Sequence, residues 1–397
     1  LRSLVGSEMC IRDSIQFTQM IPSQQYRFLR QSLRDGRSIK HDSSRWAKLH
    51  LDPWLLCFLI LNAVLGLLVI YSASAQDMGM VFRQATSFAV GFIVMIICAQ
   101  IPPKVYQAIS PYFFIFAVIL MVLVLVVGET RMGARRWISL PGIGSMQPSE
   151  FMKFAMPLMM AWYFAGRAFP PKFMHIVISL GIMMLPFLLA ALQPDLNLGL
   201  LIPGVCVIFL SGISWRLIAL ACGALAVVAP LLWMFFLQEY QKKRVLTLFD
   251  PESDALGAGW NIIQSKIAIG SGGLMGKGFT EGTQSHLGYL PEHHTDFIMS
   301  TYAEEFGFIG VFLLFSLFAA IIIRCLIIGM NSFHNFGRLY AGAVGLTFFF
   351  FVLLNSGMVS GILPVTGDPL PLMSYGGTAV ITMLASMGIV MSIHTHR

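Results

Sequence analysis

The stretch "WLLCFLILNAVLGLLVIYSASA", Trp54–Ala75, carries no charged side chain. A helix rises about 1.5 Å per residue, so about twenty apolar residues cross the ~30 Å hydrocarbon core of a bilayer. Lipid tails offer the backbone no hydrogen-bond partner, so such a run must satisfy its own N–H and C=O groups as a helix. Runs of this kind recur along the chain. They lie near Trp54–Ala75, Gln84–Ile101, Ile109–Val127, Ser149–Phe164 and Met174–Leu192. Five more follow near Leu198–Gly212, Leu217–Leu237, Phe297–Ile323, Leu339–Val359 and Tyr375–Ile393. The expected fold is therefore all-α and polytopic, with about ten transmembrane helices and a large extracytoplasmic loop between helices 7 and 8. Composition agrees: the 397 residues are 56% hydrophobic and 11% charged, whereas soluble domains carry about 25% charged residues.

Lys and Arg set the expected orientation. Arg27, Arg30, Arg34, Arg37, Lys40, Arg45 and Lys48 precede the first apolar run, and Lys104, the Arg167–Lys172 link, Arg216, the Arg324–Arg338 link and Arg397 fall on the same side. The positive-inside bias makes that side the cytoplasm and puts both termini there. The net charge of +7 thus reads as a membrane anchor against anionic lipid, not as a nucleic-acid surface. Residues 1–14, "LRSLVGSEMCIRDS", match nothing downstream in character and are read as a spurious leader. Residues 15–50 form a basic cytoplasmic segment, and 51–397 one membrane domain with a periplasmic loop at 238–296. The six cysteines contain no CxxC pair, so neither a disulfide framework nor a zinc site is indicated.

Polar residues collect at the opposite, outer side. "LPEHHTDFIMSTYAEE" gathers Glu292, Asp296, Glu304, Glu305 and two histidines into sixteen residues. Asp296 lies where the loop meets a membrane helix. Partial burial there would make it a proton acceptor near neutral pH, and capping the helix is the competing reading. Ligation of a metal by His293, His294 and Asp296 is a weaker possibility, because a lone HHxD lacks helical spacing. In "SMQPSEFMK", Glu150 and Lys153 are three residues apart and share a helix face, as functional groups or as a structural pair. Asp195, Arg83, Arg136 and Lys277 complete the inventory. "SGGLMGKG" fails as a nucleotide-binding P-loop, since Ser271 and Gly278 stand where Gly and Ser/Thr belong. Its glycines could still offer backbone N–H groups to a phosphate beside Lys277. Asn261–Ile269 reads as an interfacial amphipathic helix. Acids and cations at the outer rim suit a substrate with a lipid tail and an anionic head.

Several motifs occur together and in order: "WNIIQSKIAIGSGGLMGKGFTEGTQSHLGYLPEHHTDFIMSTYAEEFG", "QPSEFMK", "QPDL" and "NSGMVSGILPVTGDPLPLMSYGG". On these, Leu51–Arg397 resembles the SEDS family (shape, elongation, division and sporulation). "GIVMSIHTHR" and "DPESDALGAGW" look like its rod-shape members more than its division members. The resemblance implies a ten-helix inner-membrane peptidoglycan glycosyltransferase that polymerises lipid II. It also implies a class B penicillin-binding protein as crosslinking partner, along with other membrane proteins of the elongation complex. The family's essential Asp falls on Asp296, its Glu and Lys on Glu150 and Lys153, and its arginines on Arg136 and Arg83. Ser145, Asn197 and Asp368 depart from the family pattern, Asp368 standing where relatives carry a small or apolar residue.

The residues and the resemblance meet on one mechanism. Asp296 takes the proton of an attacking sugar hydroxyl, and Lys153, Arg136 and Arg83 stabilise the departing diphosphate. A divalent cation (Mg or Mn) could assist, although no recognisable motif would hold it. The rival readings are a lipid II flippase, which also needs many helices and buried charge, and a scaffold for cell-wall enzymes.

Overall fold

The computed structural model describes residues 49–131, 134–140, 144–193, 198–219, 258–286, 294–364 and 367–396, with a few isolated positions between 223 and 250. For residues 130–131, 134–136, 139–140, 144–145, 198, 258 and 285–286 the backbone alone is described. Residues 1–48, the expected helix over Leu217–Leu237 apart from isolated positions, Asp195 and His293 lie outside the described residues.

Helix starts follow from local chemistry. Asp52 accepts from the backbone N–H of Trp54 at 3.1 Å and of Leu55 at 3.5 Å, and Pro53 occupies the first helical position of α1, Pro53–Ala73. Both devices satisfy or remove donors that a helix start leaves unpaired. Asp77 Oδ1 accepts from Gly79 N at 2.8 Å and opens α2, Met78–Gln100, six residues before the apolar run suggested. Pro103 likewise brings forward the start of α3, Pro103–Val127.

The expected loop Gly128–Pro148 holds a small antiparallel sheet of order β1-β2-β3, made of Glu129–Arg131, Ala134–Leu140 and Gly144–Met146. Its register pairs Glu129 with Trp137 and Ile138 with Met146. The sheet lies against the end of α3 and the start of α4, Pro148–Ala165. Helix α5 spans Phe173–Leu192. The expected helix Leu198–Gly212 is divided into a 3₁₀ turn, Leu198–Leu200, and a nine-residue α6, Ile202–Leu210. Pro203, lacking an N–H, sits in the first turn of α6, where that loss is harmless. Then come α7 (Ala258–Ser271), α8 (Thr283–His286), α9 (Ile298–Met330), α10 (Asn335–Val359) and α11 (Gly377–Thr395).

Among the described residues, seven helices are long and apolar enough to cross a membrane: α1, α2, α3, α5, α9, α10 and α11. Helix α4, which carries Glu150 and Lys153, is buried along most of its length and packs against α3, α6, α10 and α11. The exposed faces of α2, α3 and α5 remain apolar, with Phe82, Ile93, Ile119, Val126 and Leu188 all outward. Lipid, not water, is the solvent such faces need.

One end of the bundle is fastened by polar contacts between sequence-distant helices. Arg324 Nε of α9 donates to Asp52 Oδ2 at 2.7 Å, and Gln100 Nε2 donates to the Leu49 carbonyl at 2.6 Å. His50 stacks on His396 with ring centroids 4.0 Å apart. The half-buried His396 ring is pushed below the usual imidazole pKa, first by burial and then by its neighbour His50.

At the other end α9 is broken. Gly307 has φ 61° and ψ −163°, which divides the helix into a buried segment, Ile298–Phe306, and the long apolar span. The glycine-rich turn after α7 fits into this break. Lys277 N and Gly278 N donate to the carbonyls of Glu304 and Glu305 at 3.0 and 3.1 Å, and Phe308 N and Ile309 N donate to Gly273 and Leu274 at 2.9 and 3.2 Å. The broken helix thus regains the pairing it lost. A Cβ on Gly276, whose φ is 82°, would strike the Glu305 carbonyl, and one on Gly307 would strike the backbone of Gly276 and Leu274. The glycines exist for this backbone approach, and the amides of Lys277 and Gly278 are occupied by α9 instead of a phosphate. Helix α7 docks rather than simply lying on the membrane: Ile262 is buried, and Ser265 Oγ donates to the Val359 carbonyl at 2.6 Å.

Left-handed backbone costs a non-glycine residue about 1–3 kcal/mol before any clash is counted. Gly307→Val and Gly276→Val are therefore each expected to lower the thermal midpoint of the detergent-solubilised protein by several degrees. The exposed control Ile362→Val should leave it unchanged in the same fluorescence melt.

Candidate active site

Four segments meet at the broken end of α9: the start of α4, the turn before α9, the end of α10 and the loop 367–376 that leads into α11. Asn355, fully buried near the end of α10, ties two of them together. Its Nδ2 donates to the Asp296 carbonyl at 2.9 Å and to the Asp368 carbonyl at 3.0 Å. One side-chain amide has two N–H groups, and both are used. Ser374 Oγ adds a bond to the Thr295 carbonyl at 2.7 Å and accepts from Leu370 N at 2.8 Å, while Tyr375 N donates to the His294 carbonyl at 3.0 Å.

Asp296 is half-buried, and a Cβ placed on Gly367 would lie 3.6 Å from its Oδ2. The carboxylate therefore sits directly against the start of the 367–376 loop. That loop is strained: buried Leu372 has φ 56°, a left-handed conformation unusual for a bulky residue. Its bonds to Thr295, His294 and Gln84 hold it there. Gln84 of α2 donates from Nε2 to the Ser374 carbonyl at 3.3 Å and accepts from Gly376 N at 3.2 Å. The next residue back, Arg83, is exposed at the same rim.

Lys153 lies at the centre of the buried part. Its Nζ is 2.9 Å from Glu150 Oε1 and 3.1 Å from Asp368 Oδ1, and it stands 5.0 Å from the centre of the Phe351 ring. Both carboxylates are buried, with Glu150 7% and Asp368 1% exposed. The pair expected from spacing alone is thus a trio, in which the ammonium is already shared by two carboxylates. These residues line a cavity of about 50 Å³ between α4, α10 and α11.

Lys277 stands apart from this cluster. Its Nζ donates to Glu304 Oε1 at 2.7 Å and to Thr283 Oγ1 at 2.8 Å. Glu304 also accepts from the backbone N–H of Thr283 and Gln284 at 2.9 and 3.2 Å, so it caps α8. Glu305 accepts from Ser72 Oγ of α1. Glu304 and Glu305 of the titratable stretch therefore fasten the loop between α7 and α9 and the neighbouring α1, and the structure separates them from Asp296 in role. Arg136 lies in β2 next to Trp137, its side chain outside the described part.

A resident divalent ion does not fit these groups. Among the described residues no three His, Cys, Asp or Glu side chains converge, and the gap between Glu150 and Asp368 that a metal could take is filled by the Lys153 ammonium. Sequence reasoning named Asp296, Glu150 and Lys153 but missed Gln84 and Ser374. Their one signal was a polar residue inside an apolar run or a Gly/Pro-rich loop.

Residues 53–397 match the model of the FtsW, RodA and SpoVE family of cell cycle proteins, and the chain belongs to that family. The peptidoglycan glycosyltransferase MrdB of Escherichia coli K12 is 51% identical over 354 residues, which is 89% of this chain and 95% of that protein. A chain of a peptidoglycan synthase complex, solved to explain how polymerization and crosslinking are coordinated, superimposes with a TM-score of 0.76. It shares 28% identity, and the match covers 87% of this chain and 97% of that one. The rod shape determining protein RodA of Thermus thermophilus gives a TM-score of 0.65 at 27% identity, over 87% of this chain and 96% of its own. With seven candidate spans, the protein is a multi-pass membrane protein of RodA-like fold.

Removing one partner of a buried ion pair leaves a desolvated charge and costs about 3–5 kcal/mol. Lys153→Met leaves two such carboxylates facing each other. It should lower the thermal midpoint more than Glu150→Gln does, as measured by melting of the purified protein in detergent.

Proposed function

We propose that this chain is a peptidoglycan glycosyltransferase that joins lipid II units into glycan strands, releases undecaprenyl pyrophosphate, and serves cell elongation and rod shape. The observation that carries the reading is the clamp at Asn355. It presents Asp296 and the Glu150–Lys153–Asp368 cluster together at one end of a membrane bundle whose sequence is 51% identical to a peptidoglycan glycosyltransferase over 89% of the chain. The fold is proposed to comprise ten transmembrane helices, with the loop 238–296 between helices 7 and 8 on the outer side of the bacterial inner membrane and both termini in the cytoplasm. The basic residues Lys104, Arg167, Lys172 and Arg338 support that orientation.

In this mechanism Asp296 accepts the proton of a sugar hydroxyl as that oxygen attacks the anomeric carbon of a second lipid-linked unit. The bond to the diphosphate breaks, and its electron pair leaves with the diphosphate oxygen. Direct displacement inverts the anomeric centre. The rim cation Arg83 and the β2 residue Arg136 are the groups proposed to offset the negative charge on the leaving group. Glu150 and Lys153 contact the substrate from within the buried cluster, where the two carboxylates temper the lysine's charge. Lys277 acts through the loop it ties to Glu304. A divalent cation, if used, would take the substrate diphosphate as its main ligand. The partners proposed are a class B penicillin-binding protein and other membrane proteins of the elongation complex.

General-base catalysis contributes about 10²–10⁴-fold. Asp296→Asn in reconstituted protein supplied with lipid II should lose polymerisation by a factor in that range while keeping its thermal midpoint. Normal glycan chains from this variant on a gel would refute the assignment, and lipid scrambling without polymer from the unmodified protein would favour a flippase.

A further inference from the structure

Asp368 stands where the family pattern has a small or apolar residue, and its surroundings give it a task. The side chain is 1% exposed. Oδ1 is held by Lys153 Nζ at 3.1 Å, but Oδ2 is buried with no hydrogen-bond partner. So is Oδ1 of Asn355, the residue whose amide holds the Asp368 carbonyl. Buried polar atoms are almost always paired, and an unpaired carboxylate oxygen costs more than a neutral one. Asp368 also lines the cavity of about 50 Å³ shared with Glu150 and Lys153, room enough for a small polar group.

Charge decides which group belongs there. One ammonium faces two carboxylates, so the cluster is formally −1. A diphosphate would be repelled. A neutral hydrogen-bond donor would be welcomed, and the acceptor atoms on offer ask for one. On the reading above, the substrate donors are the hydroxyl and amide N–H groups of the sugar.

Resting on that reading, we propose that Asp368 is a sugar-recognition residue of this chain: its Oδ2 accepts a hydrogen bond from a hydroxyl or amide N–H of the lipid-linked saccharide. Its second oxygen meanwhile draws Lys153 away from the diphosphate, leaving that anion to the arginines. The cluster's formal −1 charge should make this chain favour the sugar-bearing lipid over the bare lipid diphosphate.

The test compares two probes on the full chain in nanodiscs: lipid II and undecaprenyl pyrophosphate, which lacks the sugar. Binding is read as a ligand-dependent thermal shift. Asp368→Asn and Asp368→Val should each weaken lipid II binding by about tenfold, the scale of one lost hydrogen bond to a charged group. Binding of undecaprenyl pyrophosphate should not weaken by more than about twofold and should tighten if anything, because the cluster becomes neutral and Lys153 is released toward the diphosphate. In polymerisation the same loss should appear in KM more than in kcat. If both affinities stay unchanged, Oδ2 merely holds a water and the proposal falls. Equal weakening of both probes overturns it as well, since Asp368 would then act on the diphosphate through Lys153. Should Asp368→Asn fail to fold, Asp368→Val, with the residue class relatives carry, decides alone. An unmodified protein that binds lipid II selectively yet makes no polymer would refute the glycosyltransferase reading and leave this inference standing.

Discussion

The end of the bundle that carries Asp296 hangs on one amide. Asn355 Nδ2 reaches the Asp296 carbonyl at 2.9 Å and the Asp368 carbonyl at 3.0 Å, and each of those residues places a carboxylate where the chemistry is proposed. Without a donor at that point the two loop carbonyls would be buried and unpaired, at a cost of about 1–3 kcal/mol each. The loops would then part, and with them Asp296 and the Lys153 cluster. A helix-borne residue is well suited to this work, because the helix around it is rigid and its position is set by packing on both sides. Ser374 and Gln84 repeat the device from the loop and from α2, so three side chains, none of them charged, hold the charged ones in place.

Electrostatics inside this frame follow a consistent division. Acids inside the bundle are buried and each is paired with a cation: Asp52 with Arg324, Glu304 with Lys277, and Glu150 and Asp368 with Lys153. Arg83, by contrast, is exposed at the rim. A bilayer protein has little choice here, since an unpaired ion in the apolar interior costs several kcal/mol.

Seven of the ten expected spans coincide with long apolar helices among the described residues, because a bilayer imposes one dominant pattern, an apolar run of fixed length. Their ends were less legible, and the misreadings have common causes. Asp77 and Pro103 start α2 and α3 earlier than the hydropathy suggested, because a cap or a proline begins a helix whether or not the residues after it are apolar. The sheet at 129–146 escaped notice because β1 and β3 have three residues each, too few for an alternation to show. In the site, Glu150 with Lys153 was visible through its i,i+3 spacing. Asp368 stood out only as a departure from the family pattern, and its contact with Lys153, 215 residues away along the chain, was not visible. Spacing reports which residues share a helix face, and it carries no information about which loops meet. The "SGGLMGKG" glycines illustrate the same limit: their composition suggested an anion cradle, whereas their partner is the backbone of a helix 27 residues downstream.

The splice at Gly307 has a mechanical consequence. A helix interrupted by a glycine is ordinarily a hinge, with nothing but two torsions resisting a bend. Here both stumps are bonded to the same turn, Glu304 and Glu305 on one side and Phe308 and Ile309 on the other. Bending would have to tear the turn as well as the helix. The joint therefore behaves as a scarfed beam, and force applied to the apolar shaft of α9 is delivered without slack to the short head that follows Asp296.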